Sequence, residues 1–249
     1  MRYKIDFSYD GSLFFGYQKQ PNKRTIQGEI ERVLSSINDS PVTISSSGRT
    51  DRGVNALHQI AHFDFNKDIS CFKLKGALNS YLPDDIYINE VSKVDDDFHA
   101  RYSAKRKTYS YFINMGTYNP MKRCQVFQYC KKLDVNLMKE ASKYMLGKHD
   151  FTTFACGEDR RSDKVREIYK IDFNLSEDVL TISFTGSGFL KYQVRNMVGL
   201  LIKVGEKKES PENVGKLIEQ KDRKKIGITA PACGLTPVSY THLTLPTNR

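Results

Sequence analysis

The sequence predicts an α+β chain of two halves, each running strand-helix-strand-strand-helix-strand, the ferredoxin-like order. Three observations predict it. Apolar residues alternate with polar ones where strands belong, as Tyr3, Ile5, Phe7 and Tyr9 do against Lys4, Asp6 and Ser8. They recur at helical spacing elsewhere, as at Ile26, Ile30, Val33, Leu34 and Ile37. The succession of patterns then repeats after a charged crossover, Asp95–Lys107. On this reading residues 1–103 form the first half, 104–240 the second, and 241–249 a tail.

In the first half, a strand over residues 2–10 ends at the turn Asp10-Gly11-Ser12. Phe14-Phe15-Gly16-Tyr17-Gln18 follows, Pro21-Asn22 breaks the chain, and a helix begins at Thr25. Strands over Val42–Ser47 and His58–Phe65 flank a glycine-bracketed loop. Ser70 caps a helix carrying Leu74, Leu78 and Leu82, and Asp85–Val94 closes the half as a strand.

The second half opens with a strand over Lys107–Met115, whose Tyr109, Tyr111 and Ile113 share a face. After a basic loop, Asp134 caps a helix expected to end near Gly147. Strands Val165–Asn174 and Val179–Thr185 flank the turn at Ser176-Glu177-Asp178. A helix over Tyr192–Val204 comes next, then a shorter one opened by Ser210-Pro211-Glu212, with Pro suited to the first helical position. Gly234–Tyr240 supplies the last strand. One echo, Gly11-Ser12-x-Phe14-x-x-Tyr17-Gln18 against Gly186-Ser187-x-Phe189-x-x-Tyr192-Gln193, pairs a first strand with a third and is thin support for duplication.

Composition narrows the function. With 39% hydrophobic residues, 14 Tyr and 14 Phe in 249 residues, the chain can bury a sizeable core. No run of 18 apolar residues is present, and the N-terminus enters a strand directly, so a cytoplasmic protein without membrane span or signal peptide is expected. Five scattered cysteines form no CxxC pair and the histidines do not gather around them, which argues against a disulfide framework or a metal site. A net charge of +10 favours a polyanionic partner, with nucleic acid leading.

The chemistry concentrates in Ser47-Gly48-Arg49-Thr50-Asp51-Arg52-Gly53-Val54. Two glycines allow close approach of a bulky ligand to the backbone. Arg49 and Arg52 offer planar cationic forks to phosphate oxygens on either side of Asp51. An acid among arginines stays ionised, which suits a nucleophile or a base and not a proton donor. The same residues also compose an ordinary capped turn with solvated charges.

Five pieces, taken in order, give the chain a resemblance. They are Tyr9-Asp10-Gly11 through Gly16-Tyr17-Gln18 with Thr25-Ile26-Gln27, the Gly48-Arg49-Thr50-Asp51 loop, Asp97-Phe98-His99-Ala100-Arg101, Lys107-x-Tyr109-x-Tyr111, and Phe189-x-x-x-x-Val194-Arg195-Asn196-Met197-Val198-Gly199. Together they resemble the tRNA pseudouridine synthases of the A type, over nearly the whole chain to about Tyr240. The resemblance implies isomerisation of uridine to pseudouridine in the tRNA anticodon stem-loop, at tRNA positions 38–40. It implies no metal or cofactor, a homodimer, and two ferredoxin-like (RNP-like) halves joined as one extended, mostly antiparallel sheet around a basic central cleft. It places the catalytic acid at Asp51, the ring stacking on the target base at Tyr109, and the arginine that pairs with the acid at Arg195. Arg49, Arg52 and Tyr109 are the substrate-binding candidates. Three departures stand out: Asn55 where the family commonly has His, Tyr17 where it commonly has Trp, and the tail Thr241–Arg249, which extends no family pattern and whose native or non-native origin the sequence leaves open.

Lys105-Arg106-Lys107 and Asp159-Arg160-Arg161 are further phosphate-contact candidates as well as plain solvated charge runs. A non-catalytic RNA-binding protein of RRM-like halves is the alternative reading, but no Gly-Phe-x-Phe-Val run lies on a strand. An anion-nest enzyme ranks below it, because the loop lacks a Lys-Ser/Thr ending and opens no helix.

Overall fold

The computed structural model describes residues 1–158 and 162–242. They form two compact units, Met1–Lys105 together with the residues from Thr236 on, and Arg106–Leu235.

The first unit contains β1 (Arg2–Tyr9), α1 (Ile26–Asn38), β2 (Ser45–Ser46), β3 (Ala56–Asp64), α2 (Cys71–Tyr81) and β4 (Ile86–Val94). Its sheet has the order β2-β3-β1-β4, with antiparallel pairing throughout. The predicted alternation of β1 is observed: Tyr3, Ile5, Phe7 and Tyr9 are buried. Ile26, Ile30, Val33 and Leu34 of α1 and Leu74 and Leu78 of α2 join them in one core. Each such burial contributes roughly 1.5–3 kcal/mol. Thr25 and Ser70 cap the two helices, accepting from the N–H groups of Gly28 and Lys73.

One predicted strand shrinks. Val42–Ser47 contributes only Ser45–Ser46 to the sheet, although Val42 and Ile44 are buried as the pattern requires. The reason is local. The Val42 N–H donates to Ser35 Oγ (2.9 Å) and the Ile44 N–H to Glu31 Oε1 (3.2 Å), so side chains of α1 take the donors that a ladder would use.

The second unit contains β5 (Ala104–Asn114, starting just before the unit boundary), β6 (Phe127–Gln128), α3 (Val135–Lys143), β7 (Gly147–Asp150), β8 (Val165–Ser176), β9 (Val179–Gly186), α4 (Gln193–Gly205) and α5 (Asn213–Glu219). Strands β5, β9, β8 and β7 lie side by side in that order, and β6 pairs in parallel with β5. The helix expected to run to Gly147 stops at Lys143. Gly147, at φ +91, opens the unpredicted strand β7 against β8. Buried Met145 continues the apolar helical spacing past the true end. α5 begins at Asn213 and leaves Pro211 just outside, where its carbonyl accepts from the Val214 N–H (3.2 Å). The last strand is β10 (Leu235–His242).

Helix α4 buries Val194, Met197, Val198, Leu200, Leu201 and Val204. Its Gly199 is a close-approach position: a Cβ there would stand 2.0 Å from the Ile228 carbonyl oxygen. Among the described residues no helix is long and apolar enough to cross a membrane. No group of three or more His, Cys, Asp or Glu among them is placed to hold a metal ion.

Candidate active site

The loop between β2 and β3 has no regular structure of its own, and side chains hold it at both ends. Ser47 Oγ donates to Gln59 Oε1 (2.8 Å), and Gln59 Nε2 donates to the Gly48 carbonyl (3.0 Å), which also accepts from Ser46 Oγ (2.9 Å). Gln59 is fully buried, so its amide is committed to the loop entry. At the exit, Asn55 Oδ1 accepts from the Gly11 N–H (2.8 Å), drawing the Asp10-Gly11 turn onto the loop. Gly11 must be a glycine, since a Cβ would meet the Val54 carbonyl oxygen at 2.0 Å.

Thr50, immediately before the acid, is gripped twice. Its hydroxyl shares a 2.7 Å hydrogen bond with Tyr9 Oη, and its carbonyl accepts from the Tyr17 N–H (3.1 Å). Gly16, at φ +93, lies flat against residues 50–52, where a Cβ would stand 3.2–3.4 Å from their backbone atoms. Behind it Tyr17 is buried, and burial pushes its phenol well above its ordinary pKa. A turn closed by Val54 N–H on the Asp51 carbonyl (3.2 Å) leaves Asp51 half-buried.

Both arginines that flank the acid in sequence lie at the surface. Neither Arg49 nor Arg52 makes an ion pair among the described residues, and both are exposed. Arg52 lies over the Phe15 ring, 4.5 Å from its centroid. Their charge therefore remains available to a ligand.

A second polar fastening serves the Asp97–Arg101 segment. The Ala100 N–H donates to His62 Nδ1 (3.2 Å), and the His62 ring packs edge-on against His99 at 4.7 Å. Burial first, then the neighbouring His99 and Arg2, lower the His62 pKa to about 4, so the ring is neutral and its Nδ1 accepts.

The other two sequence candidates belong to the second unit. Tyr109 pairs with Phe184 across β5 and β9, and its ring meets Phe189 edge-to-face at 5.2 Å. Two residues on and on the same face, Tyr111 is fully buried with its hydroxyl on the Pro231 carbonyl (2.7 Å). Tyr109 itself is only half-buried. Arg195 stands in the first turn of α4. Its Nε donates to the Ala230 carbonyl (2.8 Å), and its guanidinium lies 5.0 Å from the Tyr192 ring centroid. Next to it, buried Asn196 donates to the Phe154 carbonyl (2.7 Å) and accepts from Thr229 Oγ1 (2.7 Å) and Arg223 Nη2 (3.0 Å). The segment Phe189–Tyr192 thus links the surroundings of Tyr109 and Arg195. Lys105 and Arg106 are exposed, with Arg106 over the Tyr169 ring, while Asp159-Arg160-Arg161 lies outside the described residues.

Residues 7–103 and 141–241 match the family model described as tRNA pseudouridine synthase. The chain belongs to that family. It is 44% identical to proteins named tRNA pseudouridine synthase A from Exiguobacterium sp. (94% of this chain, 95% of the relative), Bacillus subtilis (94% and 96%) and Streptococcus agalactiae (94% and 92%). Among solved structures, a Cbf5-Nop10-Gar1 complex aligns with 94% of this chain and 57% of that chain at a TM-score of 0.36 and 8% identity, a likeness that carries no argument.

The sequence reading gave Tyr9, Gln59 and His62 no role at the site. The available signal was a polar residue at a buried strand position, as Gln59 and His62 occupy in β3. Asn55 was singled out as a departure, and its side chain proves to be a structural clamp.

Proposed function

We propose that the chain isomerises uridine to pseudouridine in tRNA, acting on the anticodon stem-loop through Asp51. The observation that carries the reading is the Gly48–Val54 loop, clamped at entry and exit around a half-buried acid in a chain of this family. The reaction breaks the ribose C1′–N1 bond, turns the uracil and forms C1′–C5, so N1 gains a proton and C5 loses one. An ionised carboxylate serves this chemistry by attacking ribose or base or by taking a proton from the sugar. The target base must leave its stack, and Tyr109 provides the ring on which it rests, with Tyr111 packed behind. Arg195, held by Ala230, pairs with the acid; Arg49 and Arg52 take phosphates.

The finer architecture follows the same reading. The first unit's β2-β3-β1-β4 order and the β8-β9-β5 run of the second support two ferredoxin-like halves; the reading bounds them near residues 103 and 240 and sets a basic cleft between them. The working form is a cytoplasmic homodimer that needs no metal or cofactor. The test uses unmodified tRNA labelled with tritium at uridine C5. Label released to water with no change in RNA mass supports the reading; intact RNA with retained label refutes it.

A further inference from the structure

Two aromatic residues in succession, Phe14 and Phe15, each carry a cation on the ring, and the two cases part company. Arg24 lies 4.0 Å from the Phe14 centroid, but Asp85 neutralises it through two hydrogen bonds of 2.7 and 2.8 Å, with Glu29 at 3.7 Å. Phe14 is buried beneath it. That pair is structural. Phe15 is 37% exposed and carries two cations, Lys23 Nζ at 4.6 Å and the Arg52 guanidinium at 4.5 Å from its centroid. Among the described residues neither cation has a carboxylate partner. The backbone keeps this arrangement in place: the Phe15 N–H donates to the Arg24 carbonyl (2.9 Å), Gln20 Nε2 donates to the Phe15 carbonyl (2.9 Å), and Gly16 lies against residues 50–52.

We propose that Lys23, Phe15 and Arg52 form a phosphodiester anchor for the RNA strand beside the target nucleotide, with the ring holding both cations at the rim of the Asp51 loop. A cation–π contact leaves the outer side of each charged group open to an anion, whereas a salt bridge would consume it. Arg52 follows Asp51 directly, so the phosphates taken are those flanking the reacting uridine. This rests on the reading that tRNA is the substrate, and it adds Lys23 and Phe15, which no family motif above includes as binding groups.

The test measures affinity of the full chain for an anticodon stem-loop across salt concentration. Lys23→Gln and Arg52→Gln should each weaken binding about 3- to 10-fold at low salt and lower the salt slope by about one. Phe15→Leu keeps the bulk and both charges, yet should weaken binding about 2- to 5-fold, and combined with Arg52→Gln its effect should shrink. Stem-loops with a neutral methylphosphonate 5′ or 3′ of the target uridine should lose affinity for the unaltered chain, and Arg52→Gln should be insensitive to at least one of them. Unchanged slopes in both charge variants, or variants as sensitive as the unaltered chain to both neutral linkages, overturn the anchor. An unaltered chain that neither binds nor modifies the stem-loop overturns instead the functional reading beneath it.

Discussion

Asp51 and Arg195 are fixed in place by different means. Asp51 sits in irregular chain, its position set by side-chain hydrogen bonds from Tyr9, Asn55, Gln59 and Ser46. Arg195 sits in the first turn of a packed helix, where Ala230 accepts from its side chain and the surrounding α4 residues are core. The first arrangement is directional and divisible: a single clamp can be removed while the sheet beneath remains. The second is collective, because a fault in α4 is a fault in the core. Changes in the clamps should therefore appear in rate, and changes in α4 in stability.

The largest expected effect is on the helix. Gly199→Ala would drive a methyl into the Ile228 carbonyl, and the roughly 1 kcal/mol gained in helix propensity does not offset it. A loss of about 3 kcal/mol in denaturant unfolding is expected. An unchanged midpoint would break the comparison on this side.

Acid should act next, and on the first unit. His62 is neutral when folded, with its pKa lowered to about 4, while the unfolded chain protonates near 6.5. The unfolded state thus binds more protons in that window. Stability present above pH 6.5 falls as pH drops toward 4, by roughly 2–3 kcal/mol. His62→Gln should flatten that part of the pH–stability curve, and hydrogen exchange should locate the loosening around residues 97–103.

Tyr109→Leu removes the ring and should lower turnover about 10- to 100-fold in a folded protein, following the roughly 1–3 kcal/mol of base stacking. Tyr109→Phe keeps the platform and should bind tRNA normally. The smallest effect sharpens the comparison most. Tyr9→Phe deletes the bond to Thr50 and should reduce kcat about fivefold, for about 1 kcal/mol, with KM and melting temperature nearly unchanged. Thr50→Val should do the same, and the double variant should add little. Equal losses in kcat and stability would make Tyr9 a core residue and nothing more.

How much of this was legible depended on which interaction holds each piece. Helices α1 and α2 read correctly because burial of a 3.6-residue stripe and a Thr or Ser cap are both local in sequence. β2 and β7 were misjudged because their backbone partners come from elsewhere, from Ser35 and Glu31 in one case and from β8 in the other. The loop around Asp51 could be found by its glycines, but its clamps could not, since Tyr9 and Gln59 look like ordinary strand residues until the strands are paired. The echo between residues 11–18 and 186–193 shows the limit of pattern alone. Tyr17 is buried beside the acid loop, while Tyr192 takes a left-handed position at the start of α4.

The central claim is that the clamped loop exists to present a charged carboxylate. Asp51→Asn keeps the shape and removes the charge. Tritium release from uridine-labelled tRNA should disappear while tRNA affinity stays within a few-fold of the unaltered chain. Measurable pseudouridine from the Asn variant would contradict the account.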